Sequence, residues 1–367
     1  MSEIKKPLGL WTAIALVVGS MIGSGVFLLP ATLASFGAAS LLGWGLTLLG
    51  ALLLAIVYSW LAKKITRTGG SYAYAHEAFG PGAGFFVAWS NWISMWCGNA
   101  ALAVAFAGSL GAVFPAATAT PMRGALSALA ALWFCTIVNI AGVREAGRMQ
   151  LITTILKIVP LILFGVLGLA YVQADSYQPF NPSGKSLIAV TTMTAAIALW
   201  AFLGFEAATI PSASIKDPER TVPRATIIGM LIAGIATMLT CTVVIGLLPS
   251  ELLVKSAAPM ADAAARLWGS SAGLAVGVIA TISCFGALNG WVLLQAQVPL
   301  AAARDNLFPS IFAKVDTRGT PVSGLLISTI LATIVVLSNF THSLIQLFAF
   351  SILLSTAAAL LPYSVSV

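Results

Sequence analysis

The chain is a succession of long apolar runs, and the first of them is interrupted in its middle by Gly23-Ser24-Gly25. About 20 apolar residues in a helix cross a bilayer. Runs of that order fall near 10–34, 39–62, 82–114, 124–142, 149–172, 189–212, 225–248, 272–300, 321–339 and 343–363. Backbone in hydrocarbon must satisfy its own hydrogen bonds, so it is helical unless protein buries it or it lines a cavity. A glycine pair in mid-run therefore marks a place where the backbone itself is put to use. Carriers build their central sites from helices interrupted in this way. The expected fold is all-α and integral to a membrane, a single transmembrane domain over 1–367 with no soluble domain between the runs.

Composition removes the alternatives. Only 8% of the residues are charged and 59% are hydrophobic, whereas a soluble domain carries about 25% charged residues. Cys97, Cys135, Cys241 and Cys284 each sit in an apolar run, as small buried hydrophobes do. His76 and His342 are far apart and no zinc spacing is present, so neither a metal nor another cofactor is expected. The net charge of +7 is scattered over short loops without aromatic interleaving, which argues against a nucleic-acid partner. Lys5 and Lys6 precede a run too long for a cleaved leader, so that run reads as the first span. There is no nucleotide-binding loop, carboxylate pair at catalytic spacing or nucleophile elbow, and an enzyme is not expected.

The loops give an orientation. With the N-terminus inside, one side collects Lys5, Lys6, Lys63, Lys64, Arg67, Arg144, Arg148, Lys216, Arg220, Arg224, Arg304, Lys314 and Arg318. The other side collects Arg123, Lys185, Lys255 and Arg266. Basic residues stay in the cytoplasm, so the N-terminus is expected there. Ten runs divide into two sets of five, about 10–172 and 189–363. Five is odd, so the second set is expected to lie inverted relative to the first. The sixth run carries Gly204-Phe205-Glu206 at a place corresponding to the break in the first. Paired interruptions of this kind point to a transport site.

Individual residues sharpen that reading. Free amides at the start of the half-helix after Gly23-Ser24-Gly25 favour an anion, such as the carboxylate of an amino acid. The competing reading is tight packing through Gly19, Gly23 and Gly25. Glu206 is the one acid deep in a run, and reversible protonation there is expected to couple to substrate or gating. Lys157 lies in an otherwise apolar stretch and is expected either to face the interior, as a built-in cation or proton acceptor, or to snorkel to the surface. Trp200 and Trp291 flank glycines in mid-run and are candidates to stack on a cation. Trp89, Trp92 and Trp96 recur at helical spacing, and Asn99 needs a buried partner. In the turn 216–224, Asp217 and Glu219 are candidates to pair with Arg144 or Arg148.

Several of these stretches resemble one family. They read GSGVFLLP (23–30), GGSYAY (69–74), WAFLGFEA (200–207), DPERTVP (217–223) and ARDNLFP (303–309). The chain is similar to carriers of the amino acid–polyamine–organocation superfamily, and most to its basic amino acid/polyamine antiporter branch, which includes arginine/agmatine and putrescine/ornithine exchangers. The resemblance implies a five-plus-five inverted repeat with helices 1 and 6 unwound. It implies that Ser24 and Gly25, preceded by Ile22, hold the substrate carboxylate, that Trp200 stacks on its cationic end, and that Glu206 senses protons. Asn99, Trp291 and Ser355 match further site positions, and Trp96, Phe202 and Leu203 complete the expected lining. Ser20, Ala201 and Leu102 depart from the arginine/agmatine exchangers, leaving the cavity less polar. Lys157 resembles the lysine of sodium-independent, proton-coupled carriers in the superfamily. Relatives usually carry 12 spans. The chain is therefore expected to hold the transport core without the last pair, which often serves dimerisation, so a homodimer is left open.

The function expected is secondary transport of amino acids across a bacterial inner membrane, by sodium-independent exchange of a cationic amino acid for its amine or another amino acid. Proton-coupled symport of neutral or broad-range amino acids is the alternative, and a non-transporting amino-acid sensor the alternative of another class.

Overall fold

The computed structural model describes residues 8–256, 258–338 and 344–366, so Lys5, Lys6 and His342 lie outside the described residues. The first run is two helices, α1 (Leu10–Met21) and α2 (Gly25–Leu33), with the break where the sequence places it. Next come α3 (Ser40–Lys64), α4 (Ser71–Val113), α5 (Pro121–Ala141) and α6 (Val143–Leu169). The sixth run opens as α7 (Leu187–Ala198) and tightens to a 3-10 turn at Leu199–Phe202. It then continues as successive tight turns to Pro211. Then follow α8 (Pro218–Leu247), α9 (Ser250–Leu253), α10 (Pro259–Trp268), α11 (Ser270–Arg304), α12 (Val322–Ser338) and α13 (Leu344–Ser366).

All ten expected runs fall on helices, and two details differ from expectation. The sixth run does not resume as an α-helix after Gly204; its second half holds together through bonds such as Thr209 N to Glu206 O at 2.7 Å. The stretch 248–269, expected as a loop, contains α9 and α10. Met260, Ala263 and Ala264 make a buried face on α10 between exposed positions, a short amphipathic pattern that a search for spanning runs passes over. The third run continues one helix, α4, whose first turns precede the run and are set off from it by a kink at Gly80 (φ 83°).

The packing has a reciprocal order. Number the spans by run, so that α4 is the third, α11 the eighth and α13 the tenth. The first packs on the seventh and the second on the sixth; the third packs on the tenth and the fifth on the eighth. The third packs on the fourth as the eighth packs on the ninth, and the fourth packs on the eighth as the third packs on the ninth. Exchanging the two sets of five thus carries each of these contacts onto another.

Close helix approach sets several of these contacts. On α3, a Cβ at Gly43 would stand 2.0 Å from Thr194 Oγ1 of α7, whereas one at Gly45 would meet nothing within 4 Å. Gly43→Val is expected to overpack the α3–α7 contact at a cost of about 1–3 kcal/mol. Gly45→Val changes the same helix two residues on and is expected to leave stability nearly unchanged. Thermal unfolding followed by gel filtration in detergent compares them, and equal midpoints would contradict this packing.

Candidate functional site

The break in the first run frees backbone that must find partners elsewhere, because a helix end leaves carbonyls without intrahelical donors. α1 ends at Ile22, whose backbone leaves the helix (φ −83°, ψ 87°). The fully buried Lys157 of α6 reaches it: Nζ donates to Gly19 O at 2.7 Å, to Ile22 O, and to Ser283 O of α11 at 3.4 Å. Ser283 Oγ also donates to Ile22 O at 3.0 Å, and Trp291 Nε1 donates to Ser20 O at 3.0 Å. The freed carbonyls of α1 are thereby satisfied by side chains from α6 and α11. Lys157 therefore faces the interior, and the snorkelling reading does not describe it.

On the other side of the break, the first amides of α2 have no helical acceptor. Two close approaches hold the breaks against each other. A Cβ on Gly25 would lie 3.0 Å from Ala201 Cβ, and one on Gly204 would lie 3.0 Å from Ser20 Cβ. Gly204 also has φ 102°, which side chains rarely adopt. Trp200 Nε1 donates to Ser24 Oγ at 3.2 Å, and its ring stacks on Trp291 with centroids 6.3 Å apart and planes at 30°. Trp291 in turn lies over Gly98, where a Cβ would be 3.3 Å from its ring and 3.1 Å from Ser355 Oγ. Ser24, Gly25, Trp200, Trp291 and Ser355 are thus brought together around the breaks.

The other expected residues are held by partners of their own. Glu206 is buried with Oε1 accepting from Tyr363 OH at 3.0 Å and Oε2 without a partner. Asn99 Nδ2 donates to Gln295 Oε1 at 2.7 Å, the buried partner its position demanded, while its Oδ1 is unbonded. Phe202 packs edge-on against Trp44 of α3 at 5.9 Å, and Leu203 is buried beside it in the chain. Trp96 is half-buried with an unbonded Nε1. Trp89 and Trp92 join Phe308 and Phe312 in an aromatic cluster, a packing role.

The two ends of the bundle differ. At the Leu8 end, Leu8 pairs with the backbone of 214–216, with Lys216 N to Leu8 O at 2.9 Å. Beneath it Tyr58 meets Tyr74, Phe205 and Tyr363 edge-on at 5.6, 5.2 and 6.2 Å. Arg67 forms an ion pair with Asp305 at the end of α11, and Tyr72 OH donates to the same carboxylate at 2.5 Å. Asp217 and Glu219, candidates to pair with Arg144 or Arg148, form no ion pair among the described residues; the bridge at this end is Arg67–Asp305. At the opposite end, a cavity of about 630 Å³ runs along α2 between α4, α10 and α11. Phe348 lines it and meets Trp200 edge-on at 6.4 Å, so this contact separates the cavity from the breaks.

Sequence reasoning missed Ser283, Tyr363, Phe348 and the Arg67–Tyr72–Asp305 group. Ser283 is one hydroxyl in an apolar run, and Tyr363 reads from sequence only as the end of the last one. Arg67, Tyr72 and Asp305 all lie in or beside the quoted motifs, but nothing in the sequence pairs them.

A helical membrane bundle with two facing helix breaks and a cavity leading toward them has the architecture of a carrier. The pattern describing amino acid permeases matches residues 8–365. The cadaverine/lysine antiporter of Escherichia coli (strain K12) is 34% identical over 337 residues, covering 91% of this chain and 74% of that protein. The putrescine transporter PotE of the same strain is 29% identical over 368 residues, covering 100% of this chain and 84% of its own. Among solved structures, the nucleobase–cation-symport-1 family transporter Mhp1, closed around bromovinylhydantoin, superposes with a TM-score of 0.64 at 12% identity, covering 96% and 76% of the two chains. The chain belongs to the amino acid permease family and is a multi-pass membrane protein.

The latch at the Leu8 end is directly testable. Both partners are partly exposed, at 39% and 27%, so the ion pair is worth at most about 1 kcal/mol. In a Ser212→Cys background, Asp305→Asn is expected to raise maleimide labelling of the buried position 212 by up to about fivefold. Unchanged labelling would show that the latch does not hold this end shut.

Proposed function

We propose that the chain is a sodium-independent exchanger that moves a cationic amino acid against its amine, or against another amino acid, by alternating access. The observation that carries this reading is the Lys157 ammonium among the carbonyls of Gly19, Ile22 and Ser283. A ring of backbone oxygens between helices is a site built for a cation, and here the protein supplies the cation itself. Nothing remains for sodium to do at that place.

The rest of the cycle is read in keeping with that exchange. The two sets of five, about 10–172 and 189–363, act as inverted repeats, with the N-terminus in the cytoplasm of a bacterial inner membrane. The substrate carboxylate takes the free amides at Gly25 and Val26, at the positive end of α2. Its cationic side chain lies against Trp200, whose ring is backed by Trp291. Glu206 and Lys157 carry the proton dependence. One oxygen of Glu206 has no partner, and a charged acid left half-bonded in a dry site is costly. The relatives that exchange cadaverine for lysine, or move putrescine, support the basic substrate class.

Purified protein in proteoliposomes, loaded with lysine, ornithine or arginine and presented with the matching amine, tests the proposal in sodium-free buffer. Saturable counterflow for at least one pair is expected. Binding without flux would leave a sensor, and flux only of neutral amino acids with protons would leave a symporter. Trp200→Leu is expected to weaken cationic substrates by about 1–2 kcal/mol and neutral ones less. Equal losses would make Trp200 a packing residue. Glu206→Gln is expected to flatten the dependence of flux on pH between about 5 and 8 by removing the titrating group. An unchanged profile would make Glu206 structural.

A further inference from the structure

The cavity opposite the Leu8 end has a lining that the transport reading does not use. It is mostly apolar, with Phe27 on α2 and Phe348 at its inner limit, and carries a few hydroxyls, among them Thr32, Ser109 and Thr118. Lys255, in the turn after α9, is the one charged side chain among its described lining residues. Lys255 has no ion pair among the described residues, and neither Glu251 nor Asp262 lines the cavity. The Asp262 carboxylate instead accepts a hydrogen bond from Ser256 Oγ.

A lone cation is an unexpected fitting for the approach to a site that takes basic compounds. A diamine with two positive charges and no negative one is repelled by it at every orientation. An amino acid with the same side chain carries a carboxylate that turns toward it. The cavity also runs along α2, so a carboxylate held at Lys255 has the free amides of that helix next on its path.

Resting on the exchange reading, we propose that this cavity is an outer recognition site that selects carboxylate-bearing substrates through Lys255 and disfavours the corresponding diamines. Lys255 thereby biases which substrate is taken from this face, while the two substrate gradients set the direction of net exchange. It acts before Phe348 and Trp200 part, so it changes the apparent affinity from this side and not from the other. The interaction is between partly solvated charges, so its size is set by a water-like dielectric and falls with salt.

The test measures KM for external lysine and external cadaverine in oriented proteoliposomes, and for internal cadaverine as the control. Lys255→Gln is expected to raise the lysine-to-cadaverine KM ratio on the outer face about fivefold, and Lys255→Glu by more. Lys255→Arg keeps the wild-type ratio, internal KM stays put, and the shift shrinks as salt rises from about 20 to 500 mM. An outer ratio unmoved by Gln and Glu, or an equal change on both faces, overturns the proposal. Equilibrium binding of labelled lysine and cadaverine to the purified variants separates the two readings. A binding ratio that shifts with the substitution while wild-type counterflow is absent sinks the exchanger and keeps the site. An unshifted ratio with intact counterflow sinks the site and keeps the exchanger.

Discussion

The Lys157 ammonium is what allows the first helix to be broken. Interrupting a helix inside a membrane exposes carbonyls that no water reaches, and each unsatisfied one costs several kcal/mol. Lys157 answers two of them from α6, at Gly19 and Ile22, and adds a contact to Ser283 on α11. The exchange is mutual, because an ammonium at that depth is itself tolerable only among acceptors. Removing the lysine orphans the break, and closing the break orphans the lysine. The interaction also ties α1 to α6 and α11, elements from both sets of five, so any rearrangement of the site is felt by both.

With the break secured, the remaining geometry follows from close approach. Gly25 lets α2 lie against Ala201, and Gly204 lets the second break lie against Ser20. The two breaks therefore touch, and Trp200, bonded to Ser24, stacks on Trp291 beside them. The bundle around them is closed by backbone pairing, aromatic packing and the Arg67–Asp305 bridge at one end, and is hollow at the other. The breaks are thus sealed by several layers at the Leu8 end and parted from the opposite cavity by the single Phe348–Trp200 contact, an asymmetry that suits a carrier opening to one side at a time.

Much of this was legible in the residues. Bilayer-length runs give the helices, and mid-run glycines give both breaks, because membrane physics leaves few reasons for either. Lys157 and Glu206 stand out for the same cause, since an ionisable group in an apolar run must have a partner. Which partner is a matter of three-dimensional register. Lys157 finds carbonyls, which have no sequence signature. Glu206 finds Tyr363 from the far end of the chain. The pairing expected of Asp217 and Glu219 failed for a like reason: proximity to a basic loop in sequence order says nothing about which charges meet, and Arg67 meets Asp305 instead. The unwinding after Gly204 extends further than one glycine implies: local turns such as Thr209 N to Glu206 O hold it, with Tyr363 on Glu206 and Gly69 N on Ile210 O, partners that no local pattern encodes.

The central claim is that Lys157 stands in for a bound cation at the break. The most direct measurement is lysine binding to purified wild-type, Lys157→Met and Lys157→Ala proteins in choline and in sodium buffers, with gel filtration as the check on folding. Wild-type affinity is expected to be independent of sodium. Binding is expected to fall at least tenfold in both variants while they still elute as folded protein. Sodium-dependent binding by the wild type, or undiminished sodium-free binding by both variants, would contradict it.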